Sequence, residues 1–513
     1  MDYIIVQAGG KGSRLGYLTA NRPKALVPVE NLPMLFHLFQ KYPDHRFLII
    51  ADYHKEVLRS YLDAFAGVNY LVVDAEGTGT ASGVRQALAL LPEGEPFMLV
   101  WSDLILPAGL RLPEAYEARG GTPEADYIGI SKTFPCRWKY EGGAFSEEPS
   151  TKQGVAGFFL FTDKSKLRDL PESGGLVRWM RDRGMEFSEI SLAGTREYGL
   201  LEEFEKLGQE KCRPFNRITV NGDVLTKEPV DAQGRSLAVR ECAWYEKARH
   251  LRTGALPAIY GTDPLRMEYI HGRNIYECRL SHEEKARVLE TLVNALHRLH
   301  AAGDIPADPF SMKEAYFRKT MNRLDKIRNL VPFAGRREII INGRRCRNVY
   351  FHRDALEQAL EKLSCDRFPL IHGDCTFSNL MLRDDGSPVL IDPRGYFGFT
   401  EFYGDVRYDW AKLYYSIAGN YDRFNLKQFR LEIGGPHGSA GTALPEGEVR
   451  LDIASNGWEG LEDTFFSLTG ADPAEIRLLH GVIWLSLTTY AWQDYDSVCG
   501  AFYNGLYHLE EAL

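Results

Sequence analysis

The segment IHGDCTFSNLMLRDDGSPVLIDPRG, residues 371–395, decides the fold of the second half of this chain. Its pattern predicts a strand, a loop, a short strand, a turn and another strand, with one apolar run leading into Asp374 and a second leading into Asp392. Asn379 follows five residues after Asp374. Transfer of a phosphoryl group from ATP needs one carboxylate to orient the attacking hydroxyl, and an amide oxygen with a second carboxylate to hold Mg2+. The segment therefore predicts Asp374 as a catalytic residue and Asn379 and Asp392 as metal ligands.

The same segment resembles the catalytic and metal-binding loops of the aminoglycoside phosphotransferase and choline kinase superfamily, the small-molecule relatives of protein kinases. HGD stands where protein kinases carry HRD, and IDPRG stands where they carry DFG. The resemblance implies a two-lobed, protein-kinase-like α+β fold, with ATP as the phosphate donor and Mg2+ as the metal.

Upstream, ITVNGDVLTK predicts a hairpin that turns at Asn221-Gly222, because Asn-Gly is a strong two-residue turn signal. The hairpin ends on Lys227, which resembles the phosphate-contacting lysine of the kinase small lobe. Glu241, on the helix that follows, is the expected partner of this lysine, and Glu246 on the same helix is the alternative.

The segment PLRMEYIHG resembles the hinge that joins the two kinase lobes. This resemblance implies that Glu268 and Ile270 bind the adenine of ATP through main-chain atoms. Beyond the metal loop, Arg394 is a candidate contact for phosphate or a bound acid. In the superfamily an aspartate farther downstream supports the catalytic loop, and Asp405 and Asp409 are the candidates here.

A short apolar run at the amino terminus breaks into a glycine-rich loop that also carries cations. The loop reads Gly9, Gly10, Lys11, Gly12, Ser13, Arg14. Glycines at the end of a strand allow backbone N–H groups to approach phosphate closely, and the cations complement its charge. The glycine spacing is neither that of the dinucleotide fingerprint nor that of the GK[ST] P-loop. The loop is therefore a candidate phosphate cradle of another kind.

This loop and the following LTANRPKALVPV together resemble the GxGxR and PK signature of sugar-phosphate and phosphocholine-type nucleotidyltransferases. The resemblance implies a Rossmann-like α/β domain in which Lys24 and Arg14 are catalytic and neutralise charge on the phosphates. The expected nucleotide-binding residues of the loop are Gly9, Gly10, Gly12 and Ser13. The segment AEGTGTASG resembles the family's GTA segment, which implies that Gly79 and Thr80 open a helix near the base.

Two acidic residues match the metal ligands of that family. Asp103 directly follows the apolar run FMLVWS, and Glu197 in EYGLLEEF stands where the family carries aspartate. Both are expected to bind Mg2+. The family's EKP motif, whose lysine binds a sugar phosphate, is replaced here by residues 147–149, EEP, so an acid stands in place of the lysine. Either Lys152 compensates for that loss, or the acceptor is not a typical sugar phosphate.

Composition restricts the class of partner. The chain has 513 residues, of which 44% are hydrophobic and 26% charged, as in globular proteins. A net charge of -9 argues against nucleic-acid binding, and the cysteines lack CxxC spacing, which favours a reduced, cytoplasmic setting. No apolar run is long enough to predict membrane insertion. We therefore expect small-molecule substrates; the sequence leaves open whether the chain forms a homo-oligomer.

The two signatures divide the chain into a nucleotidyltransferase domain, residues 1–212, and a kinase-like phosphotransferase domain, residues 213–513. In the second domain the small lobe is expected at about 213–270 and the large lobe at about 271–513. Their reactions would be consecutive, because a kinase creates the phosphate to which a nucleotidyltransferase attaches NMP. The sequence thus predicts a bifunctional enzyme that makes an NDP-activated sugar or polyol for surface-glycan or cell-wall metabolism, with CTP or UTP as the nucleotidyl donor.

Two alternatives stay open. The aromatic carboxyl-terminal region could enclose a quaternary ammonium group through cation–π contacts, or it could be plain core. Its aromatic residues include Trp484, Tyr490, Trp492 and Tyr495. With the missing EKP lysine, this keeps a choline or ethanolamine kinase joined to a CTP:phosphocholine-type cytidylyltransferase possible, whereas GTGTA favours the sugar class. In the other alternative, one domain is catalytically inactive and serves as a binding or regulatory module.

Overall fold

The computed structural model describes residues 1–118, 121–206, 216–230, 232–251, 254–436 and 438–513. The chain divides into two compact units. The first unit is Met1–Gly208 with the segments His437–Gly441 and Gln493–Tyr495, and the second unit is Gln209–Pro436, Thr442–Trp492 and Asp496–Leu513. The domain boundary predicted between residues 212 and 213 lies outside the described residues. No helix in the described ranges has both the length and the apolar character needed to cross a bilayer.

Among its described residues the first unit has thirteen strands, nine of which form the main sheet. Its strands are β1 (Tyr3–Gln7), β2 (Pro28–Val29), β3 (Leu32–Pro33), β4 (Arg46–Ala51), β5 (Asn69–Asp74), β6 (Phe97–Trp101), β7 (Leu104–Ile105), β8 (Tyr127–Ser131), β9 (Lys139–Glu141), β10 (Ala144–Ser146), β11 (Gly154–Phe161), β12 (Ser188–Ser191) and β13 (Arg196–Glu197). Its helices are α1 (Met34–Lys41), α2 (Lys55–Phe65), α3 (Thr80–Ala89), α4 (Glu114–Glu117), α5 (Leu176–Asp182) and α6 (Leu201–Lys206). The main strand order is β10-β9-β11-β6-β1-β4-β5, and β8 joins β11 to β12.

The strands β5, β4, β1 and β6 are parallel neighbours. Strands β1, β4 and β6 read as almost continuous apolar runs because both faces of a parallel sheet are covered. In such doubly wound sheets, ligands bind beyond the carboxyl ends of the strands, where the strand order reverses. The order reverses here between β1 and β6, with Gln7 paired to Trp101. The glycine-rich loop and Asp103, which follow these two strands, therefore emerge at one edge.

The second unit holds the remaining elements. Its strands are β14 (Asn216–Asn221), β15 (Val224–Pro229), β16 (Ile259–Thr262), β17 (Leu265–Glu268), β18 (Gly272–Asn274), β19 (Asp304–Pro306), β20 (Glu338–Ile341), β21 (Arg344–Arg347), β22 (Arg367–Pro369), β23 (Leu380–Arg383), β24 (Pro388–Leu390), β25 (Tyr396–Phe397), β26 (Thr400–Glu401), β27 (Phe429–Ile433) and β28 (Glu448–Ile453). Its helices are α7 (Ala232–Ala248), α8 (His282–His300), α9 (Pro309–Lys313), α10 (Lys319–Ile327), α11 (Arg353–Glu361), α12 (Val406–Ile417), α13 (Tyr421–Asn425), α14 (Glu462–Thr469), α15 (Pro473–Leu487) and α16 (Tyr495–Ala512).

A small sheet of order β14-β15-β17-β16 and helix α7 make up the amino-terminal part of the second unit. The hairpin predicted at Asn221-Gly222 is confirmed, since β14 and β15 pair antiparallel around it. Gly222 has a φ of +60°, a conformation that glycine adopts without strain. The hairpin places Lys227 on β15, facing into this part of the unit.

A second small sheet, β18-β23-β24, supports the catalytic segment. The apolar run before His372 was expected to be a strand up to that residue, but β22 ends at Pro369 and Leu370 forms only an isolated bridge with Tyr403. Gly373 then turns the chain with a φ of +81°, a conformation that glycine adopts without strain. The sequence analysis did not predict a further sheet, whose strand order is β21-β20-β28-β27.

Candidate active sites

Lys24, Asp103 and Glu197 come together in the first unit. The ammonium nitrogen of Lys24 lies 2.5 Å from Asp103 Oδ2 and 3.8 Å from Glu197 Oε1. The lysine side chain is 11% exposed and each carboxylate is 21% exposed, so the group is shielded from solvent but not sealed. Charges in such a position interact more strongly than charges in water. The structure therefore places these three residues in one cluster.

Strand pairing explains how Glu197 reaches Asp103. Asp103 lies between the end of β6 at Trp101 and the start of β7 at Leu104. Strand β7 pairs antiparallel with β13, which sets Glu197 opposite Leu104. The N–H of Tyr198 also donates to the carbonyl of Asp103 at 3.3 Å. Two residues of antiparallel pairing are thus enough to bring the two carboxylates together.

The glycines of the loop after β1 permit close approaches. Gly12 has a φ of +62°, and a Cβ there would lie 3.1 Å from Lys24 Cβ. A Cβ on Gly9 would lie 2.9 Å from Asp52 Cβ, whereas Gly10 faces open space. A bulkier residue at Gly12 would push the loop away from Lys24, so glycine lets the loop lie against the lysine.

Arg14 lies at the same site. A Cβ on Gly199 would lie 2.3 Å from Glu197 Oε1 and 3.3 Å from Arg14 Nη2, which sets the Arg14 guanidinium beside the Glu197 carboxylate. Arg14 and Ser13 are exposed. The structure thus brings together both predicted cationic residues and both predicted acidic ligands of the nucleotidyltransferase signature.

Gly79 and Thr80 open helix α3, as the sequence predicts. Gly79 has a φ of +84°, and a Cβ on it would lie 2.4 Å from the carbonyl oxygen of Gly174. The Thr80 hydroxyl accepts from the Leu176 N–H at 2.9 Å, and the Ala81 N–H donates to the Gly174 carbonyl at 3.0 Å. These contacts fix the turn in place. Its contact with a nucleobase stays a prediction.

Glu148, which stands in the position of the EKP lysine, is exposed. Its neighbour Glu147 is surrounded by guanidinium groups: Arg137 Nη2 lies 2.5 Å from its carboxylate, Arg178 Nη2 lies 3.0 Å away and Arg181 Nη1 lies 4.0 Å away. Positive charge is therefore present beside this segment although the lysine is missing.

Lys227, Glu241 and Asp392 form a charged triad in the second unit, in which Lys227 and Glu241 are largely buried and Asp392 is exposed. The Lys227 ammonium nitrogen lies 2.8 Å from Glu241 Oε2 and 2.6 Å from Asp392 Oδ1. Burial lowers the pKa of Lys227, but the two carboxylates outweigh burial and raise it overall. Burial and the Asp392 charge raise the pKa of Glu241. The alternative partner, Glu246, accepts a hydrogen bond from the Thr262 hydroxyl at 3.0 Å instead.

Asp374 and Asn379 lie in hydrogen-bond contact. The Asn379 amide nitrogen donates to Asp374 Oδ2 at 3.0 Å, and the Lys412 ammonium nitrogen lies 3.0 Å from Asp374 Oδ1. Burial opposes ionisation of the carboxyl group, but Lys412 and Arg394 hold its pKa below the usual value. Asp374 is therefore an anion at neutral pH, and its side chain remains 37% exposed. An exposed, ionised carboxylate can accept a hydrogen bond from a substrate hydroxyl.

Asp409 holds the catalytic loop in place. Its Oδ2 accepts from the His372 N–H at 2.8 Å and from His300 Nε2 at 2.9 Å, while its Oδ1 accepts from the Gly373 N–H at 2.6 Å. Asp409 is completely buried. The other candidate, Asp405, accepts from the Tyr316 hydroxyl and pairs with a neighbouring arginine. Of the two aspartates, Asp409 is thus the one that supports the loop.

Replacing Asp409 by alanine should destabilise the second unit and distort the catalytic loop. The change leaves two buried N–H groups without an acceptor, so we expect the free energy of unfolding to fall by about 3–5 kcal/mol. Urea denaturation followed by tryptophan fluorescence measures this loss. The matched control is Asp463→Ala, because Asp463 is exposed on α14. Equal stability of the two variants would contradict the supporting role.

Glu268 and Ile270, the residues of the expected hinge, differ in their hydrogen bonds and burial. Glu268 ends β17, where its N–H donates to the Ala258 carbonyl at 2.8 Å and its carboxylate lies 2.5 Å from Arg383. An adenine contact by Glu268 would therefore use its carbonyl oxygen, because the N–H is already engaged. Ile270 is buried. Adenine binding by these two residues stays a prediction.

Two of the carboxyl-terminal aromatic residues belong to the core. Trp484 is completely buried, and its indole N–H donates to His480 Nε2 at 2.9 Å. Tyr495 is also buried, while Tyr490 is 42% exposed. Trp484 and Tyr495 are therefore not available to enclose a ligand.

The chemistry of both sites fits Mg2+, which prefers oxygen ligands and commonly binds one or two carboxylates plus substrate phosphates. In the first unit, Asp103 and Glu197 converge on a single positive group, Lys24. In the second unit, Asn379 turns its amide nitrogen to Asp374, which leaves its carbonyl oxygen for a cation, and Asp392 is 45% exposed. In the described part of the chain, no group of three or more His, Cys, Asp and Glu side chains is placed to hold a metal ion.

Sequence reasoning missed Lys412, which touches Asp374. A signal was present, because Lys412 follows Asp409 by three residues and helical spacing puts both on one side of α12. Lys319 and Arg323, on the distant helix α10, gave no comparable signal. Lys319 lies over the same Tyr408 ring as Lys412 only because the chain folds back on itself.

Two protein-family models match different parts of the chain. Residues 4–122 match the family model described as MobA-like NTP transferase domain, and residues 243–435 match the model described as phosphotransferase enzyme family. A stretch of 175 residues is 28% identical to the UTP–glucose-1-phosphate uridylyltransferase AglF of Haloferax volcanii, covering 31% of this chain and 71% of that protein. A stretch of 84 residues is 38% identical to the bifunctional protein GlmU of Methanocaldococcus jannaschii, covering 16% of this chain and 20% of that protein.

Among solved structures, the inositol-1-phosphate CTP transferase from T. maritima is 18% identical, with a TM-score of 0.32 over 40% of this chain and 94% of that one. The family matches confirm the predicted combination of a Rossmann-like nucleotidyltransferase domain with a kinase-like phosphotransferase domain. Both are transferase families.

Proposed function

We propose that this chain, which joins a nucleotidyltransferase domain to a phosphotransferase domain, carries out two consecutive reactions on one small molecule. In the first, a hydroxyl of the acceptor attacks the γ-phosphorus of ATP, and ADP leaves. In the second, the new phosphate attacks the α-phosphorus of an NTP, and pyrophosphate leaves. The product is an NDP-activated sugar or polyol, a precursor suited to surface-glycan or cell-wall metabolism.

One observation carries this proposal: each unit holds a polar cluster of its own with the groups that its reaction needs. In the first unit Lys24 lies between the carboxylates of Asp103 and Glu197. In the second unit Lys227 pairs with Glu241 and Asp392. A domain that had lost catalysis would not be expected to keep such costly partly buried charges in one place.

In the phosphotransferase reaction, Asp374 accepts the proton of the acceptor hydroxyl and orients its oxygen toward the phosphorus. Lys412 and Asn379 hold the Asp374 carboxylate in position. Lys227 is positioned by Glu241 to contact the phosphates of ATP. Mg2+, held by Asn379 and Asp392, would neutralise charge on those phosphates.

In the nucleotidyltransferase reaction, the loop of Gly9, Gly10, Gly12 and Ser13 offers backbone N–H groups to the phosphates of the NTP. Lys24 and Arg14 balance the negative charge that develops as pyrophosphate leaves. Asp103 and Glu197 would hold Mg2+ there. UTP is supported by the relative AglF, whose name specifies UTP and a sugar phosphate, and CTP is the other candidate.

Mass spectrometry of reaction mixtures tests the proposal. The full chain is incubated with ATP, Mg2+ and each of CTP, UTP, GTP and dTTP, against free sugars, sugar acids, polyols, choline and ethanolamine, and against the phosphorylated forms of these acceptors. We expect a product whose mass equals acceptor plus phosphate plus NMP. Acceptor phosphate alone would mean that the first unit is inactive and serves as a binding module. NDP product only from pre-phosphorylated acceptors would place the inactivity in the second unit.

A further inference from the structure

Four cationic side chains gather in the second unit, and one of them, Lys412, pairs with Asp374. Three of them surround one aromatic ring: Lys319 Nζ, Lys412 Nζ and Arg394 Cζ lie 5.6, 5.9 and 5.8 Å from the centre of the Tyr408 ring. The fourth, Arg323, lies one helical turn beyond Lys319 on α10. We name this group, Lys319, Arg323, Arg394 and Lys412, the cation cluster.

Among the described residues, only one of the four charges of the cation cluster is paired with a carboxylate. Lys412 pairs with Asp374. Within the described ranges, Lys319, Arg323 and Arg394 form no ion pair. Burial lowers the pKa of Lys319 well below its usual value, and Arg394, Arg323 and Lys412 lower it further, against a small opposing effect of Glu314. Like charges held together and half-buried cost free energy unless an anion joins them.

The arginines of the cation cluster are held rigidly. The Arg394 guanidinium donates to the Tyr408 and Tyr396 hydroxyls at 2.7 and 2.8 Å, and Arg323 donates to the Ser486 hydroxyl at 3.0 Å. These bonds use neutral oxygens, so the guanidinium charges remain available. Guanidinium groups fixed in this way are suited to bind carboxylate or phosphate.

Two further features tie the cation cluster to the catalytic loop. The Arg394 N–H donates to the His372 carbonyl at 2.8 Å, and a Cβ on Gly373 would lie 2.8 Å from Arg394 Cβ, so Arg394 packs directly on the loop that carries Asp374. On the other side, a π-helical turn, Glu314–Arg318, directly precedes Lys319. Such turns are rare and occur often at functional sites.

The cation cluster belongs to the acceptor side of the site. The phosphates of ATP are assigned to Lys227, which contacts Glu241 and Asp392. The cation cluster instead contacts Asp374, through Lys412, and Asp374 is the group that meets the acceptor hydroxyl. An acceptor bound for reaction must therefore place its other substituents near these cations.

We propose that the phosphotransferase site takes an anionic acceptor: a hydroxyl compound that also carries a carboxylate or a phosphate, bound by Lys319, Arg323 and Arg394. This inference rests on the phosphotransferase activity proposed above. The same charges repel a quaternary ammonium or an amine, so choline and ethanolamine are poor acceptors. The activated product then retains the acid group, because phosphorylation consumes only the hydroxyl.

The activity test compares acceptors that differ only in charge: glucose, glucuronate and glucose 6-phosphate, and glycerol, glycerate and glycerol 3-phosphate, with choline as the cation. ADP release by the full chain is measured. We expect activity with at least one anionic member and little with its neutral partner; carboxylates and phosphates in separate arms show which acid is used. Equal or greater activity with the neutral compounds or choline would overturn the inference.

The variant test uses Lys319→Met, because the contact of the Lys319 side chain among the described residues is with the Tyr408 ring, which a methionine of similar length can also pack against. We expect the KM for the anionic acceptor to rise by about ten-fold or more, with the KM for ATP unchanged and partial rescue by Lys319→Arg. Lys362→Met is the matched control, since Lys362 is exposed at the end of α11. A rise in the KM for ATP instead would assign the cation cluster to the donor phosphates and overturn the inference.

A binding test separates this inference from the proposed function. The thermal transition is measured for two proteins, Asp374→Asn and the double variant Asp374→Asn/Lys319→Met. Each protein is measured with glucuronate, with glucose 6-phosphate and with glucose. One outcome is that an anion stabilises Asp374→Asn, that Lys319→Met removes this stabilisation, and that the wild type transfers no phosphoryl group. That outcome would support the anion site and refute the kinase activity. No anion-dependent stabilisation and no anion-dependent activity would refute the anion site.

Discussion

Asp374→Asn should lower the rate of phosphoryl transfer from ATP by about 10³-fold, because an amide cannot accept the proton of the attacking hydroxyl. Asparagine has the same shape, and its side-chain oxygen can still accept from Lys412 or Asn379. The fold should therefore survive while the chemistry stops. ADP release with a competent acceptor measures the loss.

Nucleotidyl transfer is the internal reference for this variant. With a pre-phosphorylated acceptor, Asp374→Asn should release pyrophosphate at the wild-type rate, because Asp374 belongs to the other unit. Asp384→Asn is the matched control, since Asp384 lies exposed in the turn that follows β23. Loss of both activities in a folded Asp374→Asn protein would contradict two separate sites.

Asp103→Asn should lower the rate of pyrophosphate release by about 10²-fold or more, because it removes a charge expected to hold Mg2+ at the leaving phosphates. The amide keeps the shape of the side chain between β6 and β7. It leaves Lys24 with the more distant Glu197 as its remaining acidic partner. Phosphoryl transfer from ATP should be unaffected.

The control for this variant is Asp44→Asn, because Asp44 is exposed in the same unit. Raising the Mg2+ concentration gives a second readout: a weakened metal site should recover part of its rate, whereas a purely structural defect should not respond. Wild-type nucleotidyl transfer by Asp103→Asn would show that the metal ligand lies elsewhere.

The sequence by itself was enough to predict both reaction types, because each depends on short motifs whose residues are close along the chain. Asp374, Asn379 and Asp392 lie within one segment of 25 residues, 371–395. The Asn-Gly hairpin that carries Lys227 and the helix that begins at Thr80 were predictable for the same reason: turn chemistry and helix starts are local. Local patterns need no knowledge of how the chain folds back.

Only the tertiary structure decided which distant residues meet. Glu197 reaches Asp103 through the pairing of β7 with β13, and Asp409 rather than Asp405 supports the catalytic loop. Lys319 on α10, far from any motif, reaches the same Tyr408 ring as Lys412. Isolated lysines and arginines in a sequence are usually solvated surface residues. A binding role can be inferred for them only when the fold brings several of them together with few carboxylate partners. The negative charge that we propose for the acceptor therefore depends on the folded chain, because it follows from the summed field of residues on separate elements.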